Sequence, residues 1–356
     1  MEDYFYSCKI KLEYNKKSYL KLLDMYFRPE EFFESIEKGL FEKIFPKHPD
    51  YIPSHKQIEK TRDFLTWNGW VFRGHCNSTW KLQTKFERLC FNKNFGRDLF
   101  ELENGMIREF RRRIQKYDPQ LASVDERDIY MLLSNMQHYG CATRFLDVSF
   151  SFFVALFFAC GYLELSAPDE KPVADKKPDE TPKFSIYCIN RMWLEKTYKQ
   201  KLPDELKKFY EHDEFGKSVE TQEAVWNYIK NYKLNNPNSD CKNIFKSVIN
   251  MTPFYINPRL DRQKGSFLMP TNPYVPFEEN LKSLIKPNSD EKYRILKIDV
   301  EYDNATLIYI QKFLDEMNIN HAVLFNDVEG ICNQINFKTR LPNDALTLPK
   351  EKKQSF

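Results

Sequence analysis

The chain has 356 residues, 42% of them hydrophobic and 15% aromatic, with 30 Phe and 20 Tyr but 10 Gly. That is ample for a sizeable core and excludes collagen-like and linker-dominated chains; the length points to one large domain with additions, or to two domains. Lys and Arg total 54 against 51 Asp and Glu, a formal net charge of +3, so bulk charge gives no argument for nucleic acid and only local clusters would.

The first residues, MEDYFYSCKIKLEY, carry acids early and lack a basic region followed by an apolar run, which argues against a signal peptide. From Pro29 to Phe45 apolar residues recur at three and four, the pattern of one amphipathic helix with Pro29 in its first turn. Trp70-Val71-Phe72 reads as a short buried strand. From Asp98 to Lys116, Leu99, Leu102, Met106, Phe110 and Ile114 repeat at helical spacing, with Asp98 and Glu101 as a start signal. The same helix carries Arg108, Arg111, Arg112 and Arg113, which would either grip phosphates or form a solvated face. Phe150 to Leu163 is the most apolar stretch; it falls short of the ~20 residues a membrane helix needs and reads as a buried core helix.

Between Ser166 and Lys183 the run SAPDEKPVADKKPDETPK mixes prolines with charges and has little to bury, so it reads as a flexible surface loop. Phe184 to Ile189 alternates like a strand, and Asp204 to Lys246 reads as mostly helical. Tyr293 to Val300 and Ala322 to Phe325 read as strands bracketing a helix near Ala305 to Met317. Short strands spaced by helices without regular alternation suggest a mixed α+β fold.

Cys8, Cys76, Cys90, Cys141, Cys160, Cys188, Cys241 and Cys332 are scattered, with no CxxC pair and no zinc-ligand spacing to a histidine. They read as small buried thiols of a reducing compartment, and no metal is expected. P-loop, GxGxxG, HExxH and GxSxG patterns are absent.

Three stretches carry more information. The first is Trp70-Val-Phe-Arg-Gly-His-Cys-Asn-Ser-Thr-Trp80-Lys-Leu, followed by Arg88. The second is Met136-Gln-His-Tyr-Gly-Cys-Ala-Thr-Arg-Phe-Leu-Asp-Val-Ser149, leading into Ala155-Leu-Phe-Phe-Ala159. The third is Leu324-Phe-Asn-Asp-Val-Glu-Gly330 with Ile331 and Cys332. Arg73 follows an apolar strand and precedes Gly74, which permits a tight turn or a close backbone approach to a ligand. A guanidinium there would hold a phosphate or carboxylate bidentately, or form a structural ion pair with Asp147 or Asp327. His138-Tyr139-Gly140 reads as a helix end with a Gly stop; His138 is either a general base or a core or capping histidine. Thr143-Arg144-Phe145-Leu146-Asp147 sets an Arg and an Asp three apart, to organise a site or to pair with each other.

In combination and order these stretches resemble the FRG family, named for its Phe/Tyr-Arg-Gly triplet, here Phe72, Arg73 and Gly74. The resemblance spans roughly Arg62 to Phe337. The chain departs from the family pattern at His75, where Gln is common, at Phe145 for Leu, at Asn326 for Pro and at Glu329 for Asp. A more distant resemblance is to ADP-ribosyltransferases: an Arg on an early strand (Arg73), a Ser ahead of an apolar helix (Ser149 or Ser151 before Ala155), then Arg262-Gln263-Lys264-Gly265-Ser266-Phe267. Gly265 stands where those enzymes carry their catalytic Glu, leaving Asp147 or Glu329 to supply a carboxylate.

These resemblances imply an ADP-ribosyltransferase-like β core with surrounding helices. They imply a toxin or phage-defence effector that uses NAD to modify a nucleic acid or protein, with a partner or antitoxin protein, in the cytoplasm and away from membranes. Arg73, Asp147 and Glu329 would be the catalytic set. Gly74, His75, His138, Tyr139, Thr143, Arg144, Ser149 and Gln263 would bind substrate or cofactor, with Tyr139 against the nicotinamide. The alternative is a non-catalytic module that recognises phosphate or nucleic acid. In either case Arg73 and the Tyr139–Asp147 block should meet in one cleft with Gln263 at its edge. The expected division is an N-terminal helical extension over residues 1–61, an FRG-like domain over 62–337 with a loop at 166–183, and a tail over 338–356.

Overall fold

Seven short strands among the described residues, most of them apolar runs with aromatic or β-branched residues, form one sheet in the order β1-β7-β4-β2-β3-β6-β5. They are β1 (Tyr6–Lys11), β2 (Trp70–His75), β3 (Leu146–Ser149), β4 (Lys183–Asn190), β5 (Val248–Met251), β6 (Gly265–Pro270) and β7 (Ile295–Glu301). The computed structural model describes residues 5–11, 20–45, 67–91, 98–122, 128–161, 182–212, 219–235, 244–253, 257–287 and 289–340. Only β1 and β7 run parallel; every other neighbouring pair is antiparallel. With helices on its faces this is a mixed α+β fold, the class expected. The expected loop at 166–183 lies almost wholly outside the described residues, and of the expected tail over 338–356 only 338–340 are described, as the end of a helix.

Helices are labelled where they bear on the site: α1 (Leu20–Phe27), α2 (Pro29–Ile36), α3 (Leu40–Ile44), α4 (Leu99–Ile114), α5 (Ile129–His138), α6 (Phe152–Cys160), α7 (Pro258–Arg262), α8 (Asn304–Glu316), α9 (His321–Phe325) and α10 (Val328–Arg340). The N-terminal segment is not purely helical as expected, because β1 joins the main sheet. Its single expected helix is two, α2 and α3. Gly39 turns left-handed (φ 79°) between them, and the Glu34 carboxylate accepts from the Gly39 and Phe41 amides at 2.8 and 3.1 Å. Asp98 caps α4 through the Glu101 amide at 2.9 Å. The buried face of α4 is nevertheless Phe100, Glu103, Ile107 and Ile114; of the stripe expected from spacing only Ile114 is buried, and Leu99, Leu102, Met106 and Phe110 are half-buried. The arginine run on α4 is largely exposed, with Arg112 and Arg113 paired to Glu109.

Ala322 to Phe325 belongs to helix α9, not to a strand. The Asn320 side chain caps it at 3.0 Å through the Val323 amide, and Asn326 closes it in the left-handed region (φ 51°). The expected core helix is α6, whose side chains are almost all buried. No described helix is long and apolar enough to cross a membrane.

Strand alternation sorts the core. On one face Phe72, Phe184, Ile186, Leu296 and Ile298 pack with α6 and the N-terminal helices. Farther along that face Ile249, Met251, Phe267 and Met269 pack with α4 and α5. Val71, Leu146, Val148, Tyr187 and Leu268 fill a third core on the reverse face. The first two cores meet where β2 and β3 touch, and these strands pair at a single position, Phe72 with Ser149. Beyond that pair the sheet forks.

Candidate anion-binding cleft

The fork is built by the Phe-Arg-Gly triplet. Phe72 anchors the core beside α6. A Cβ on Gly74 would stand 1.9 Å from the Ala155 carbonyl oxygen and 2.6 Å from the Ala159 nitrogen, so glycine is what lets α6 cross directly over β2. Gly74 thus makes a close approach to a helix of the same chain, where a tight turn or a ligand was expected. Arg73 points into the gap. Its Nη1 donates to the Asp147 carbonyl at 2.5 Å, standing in for a ladder bond, and lies 4.0 Å from the Asp147 carboxylate.

Behind it, Arg73 Nε donates to His75 Nε2 at 3.0 Å. An imidazole nitrogen that accepts is unprotonated, so His75 is neutral with its proton on Nδ1. Burial first and the Arg73 charge second depress its pKa to about 3. His75 thus holds Arg73 from the rear and does not line the cleft. Two of the five guanidinium N–H groups are committed, which leaves the Nη edge for a ligand. Burial also pushes the Arg73 pKa down, opposed by Asp147.

A cavity of about 420 Å³ opens at the fork, walled by β2, α5, β3, α6, α7 and the start of β6. Of the expected site residues, Arg73, Gly74, His138, Asp147, Ser149 and Gln263 line it. Asp147 is held by a directional relay. The Phe145 amide donates to Thr143 Oγ1 at 3.2 Å, so the Thr143 hydroxyl proton goes to Gln137 Oε1 at 2.6 Å. That turns the Gln137 amide nitrogen toward Asp147 Oδ2, at 2.9 Å. Thr143 is fully buried and acts through Gln137. Ser149 Oγ donates to the Gln263 carbonyl at 2.7 Å and accepts from the Ser151 amide at 2.9 Å, tying β3 to the turn before β6. The Gln263 amide reaches the Leu324 carbonyl on α9 at 3.2 Å.

Three expected residues lie elsewhere. Arg144 is buried against α4, bidentate to Glu103 with Nε contacts of 2.9 and 2.8 Å, its guanidinium 4.8 Å from the Trp226 ring. It binds α4 to β3, and its partner is Glu103 rather than Asp147. Glu329 is exposed in the first turn of α10 and is not part of the cleft wall. Tyr139 is 57% exposed and leans toward Phe110, outside the wall.

Sequence reasoning missed Gln137, Lys85 and Arg259. Gln137 lay in plain view beside His138. The Lys85 ammonium donates to the Gly140 carbonyl at the cleft wall. Arg259 is one helical turn before Gln263, and that spacing was its only signal. Gly265 begins β6, where a Cβ would stand 2.3 Å from a Leu260 methyl; packing explains the glycine at that place. Among the described residues no group of His, Cys, Asp and Glu is arranged to hold a metal ion.

Neither the curated proteins nor the solved structures contain a significant match to the chain. A family model does match: residues 68–166, from just before β2 through α6, match the FRG domain, so the fork, the triplet and the Gln137–Asp147 relay lie within the matched segment, while Arg259 and Gln263 lie beyond it.

Proposed function

We propose that the cleft recognises a phosphorylated ligand of the nucleotide class. The composition of its wall carries this reading: Arg73, Lys85 and Arg259 line it against Asp147 as the carboxylate. A guanidinium with an uncommitted edge suits phosphate, and backed by His75 it loses little freedom on binding. The cavity volume falls in the range of small-molecule sites.

Asp147 favours a second reading, in which this FRG-domain chain is a toxin or phage-defence effector that transfers ADP-ribose from NAD to a nucleic acid or protein. Bound NAD would supply the ADP-ribosyl group. Arg73 and Lys85 suit its pyrophosphate. Loss of nicotinamide builds positive charge on the ribose, which a nearby carboxylate stabilises. Asp147, oriented by Gln137 beside Arg73, is the acid this reading uses, in place of Glu329.

Calorimetry with NAD, ADP and inorganic phosphate tests both readings. Arg73→Ala should weaken binding by ~10-fold or more, since a charge-assisted contact contributes ~1.5–3 kcal/mol. Arg73→Lys should retain part of it. Asp147→Asn should spare affinity while lowering nicotinamide release with protein or RNA acceptors. Binding without nicotinamide release leaves the recognition module; a native chain that binds none of the three ligands removes both readings.

A further inference from the structure

Arg259 is the cleft cation that the described residues leave without an ion pair. It projects from α7 into the cavity wall, half-buried, with its guanidinium 4.4 Å from the Phe325 ring. Arg73 spends N–H groups on His75 and Asp147, and Lys85 spends one on Gly140. Among the described residues Arg259 has no ion pair and no side-chain hydrogen bond. The Phe325 ring fixes the direction of the guanidinium without occupying its in-plane N–H groups.

His138, the last residue of α5, faces the same cavity from the other side and has no hydrogen-bond partner among the described residues. Burial first and the Arg259 charge second lower its pKa, and Asp327 opposes them. The Asp327 carboxylate that acts on His138 accepts from the Gly330 amide through Oδ1 at 2.6 Å, at the start of α10. Two groups able to donate to an anion thus face one cavity from separate elements. Arg73 lies on β2, and α7 leads into β6, two strands away in the order β2-β3-β6.

We propose that Arg259 and His138 form a second anion subsite in this cleft, so that the ligand carries two phosphoryl groups, as a nucleoside diphosphate or a dinucleotide does, rather than one. The inference rests on the phosphate reading of Arg73 and adds a second pole to it.

The test is calorimetry on the full chain with inorganic phosphate, AMP, ADP and NAD, with thermal melting to verify that each variant folds. The native chain should bind ADP ~10-fold or more tighter than AMP, the effect of one added charge-assisted contact. Arg259→Ala should erase that preference and leave AMP and inorganic phosphate within about twofold of native values, whereas Arg73→Ala should weaken all four. His138→Gln reads the same subsite from α5 and should reduce the ADP preference even if an Arg259 variant does not fold. A further gain for NAD over ADP identifies a dinucleotide; equal affinity identifies a nucleoside diphosphate. The proposal is overturned if Arg259→Ala leaves every affinity unchanged or lowers AMP and ADP by the same factor. A native chain that binds phosphate through Arg73 but does not prefer ADP overturns the second subsite alone, and one that binds no probe overturns the phosphate reading with it.

Discussion

An alanine at position 74 cannot be absorbed by a rotamer change, because what its Cβ meets is the backbone of α6 at Ala155 and Ala159. Either the helix lifts from β2 or the strand bends away. Gly74→Ala should therefore cost about 3 kcal/mol, the upper end of overpacking, read as a lower urea midpoint. Gly105, inside α4 with open space where a Cβ would go, is the control: Gly105→Ala should stabilise by about 1 kcal/mol through helix propensity alone. If the two substitutions shift the midpoint alike, the contact between β2 and α6 does not govern position 74. The sequence points to a tight turn or a ligand at Gly74, because a glycine carries no record of what approaches it. Arg73 was legible as a cation beside an apolar strand, but β2 does not end before it and runs on to His75. Its support by His75 was hidden, since two residues of one strand rarely bond each other side chain to side chain.

At the scale of elements, α4 was readable in existence and capping but not in orientation. Its stripe of Leu and Met stays half-buried because the Glu103 face is drawn inward by Arg144, both side chains being 1% exposed. Apolar periodicity cannot anticipate a carboxylate in the core, since it is stable there only with a partner, and that partner lies 41 residues along the chain. Glu103→Gln should destabilise by ~3–5 kcal/mol, the cost of stranding a buried charge. The double substitution Glu103→Leu with Arg144→Met should recover most of that loss in the same unfolding titration. Recovery by neither would mean that the pair is not what joins α4 to β3. The misread run Ala322 to Phe325 has a different cause. Four apolar residues fit a strand or a helical turn equally well, and the deciding signals, the Asn320 cap and the left-handed Asn326, flank the run.

Across the whole molecule, the mixed class was legible from short strands spaced by helices, whereas the strand order was not, because pairing partners are far apart in sequence. Histidines that the fold holds neutral should make its stability sensitive to acid. His75 titrates near 3 in the folded chain against 6.5 ordinarily, and burial also lowers His138 and His321. Between the two His75 values the unfolded chain binds a proton that the native one refuses. Stability therefore falls as pH drops from about 6.5 toward 3, by up to ~1.4 kcal/mol per pH unit from this group. His75→Gln, whose amide oxygen can still accept from Arg73, should flatten that slope in urea titrations at pH 7, 6, 5 and 4; an unchanged slope would assign the acid sensitivity to other groups. The outer strand of the sheet has a separate consequence. Tyr6 of β1 stands opposite Leu296 of β7. At ~5–20 residues per second, a ribosome delivers β1 roughly 15–60 s before the strand it must join. Throughout that interval Cys8 and Ile10, buried in the finished sheet, have no place to go. The alternating Lys9 and Lys11, exposed on its outer side, are the kind of charge that keeps such a waiting edge from pairing with a neighbouring nascent chain.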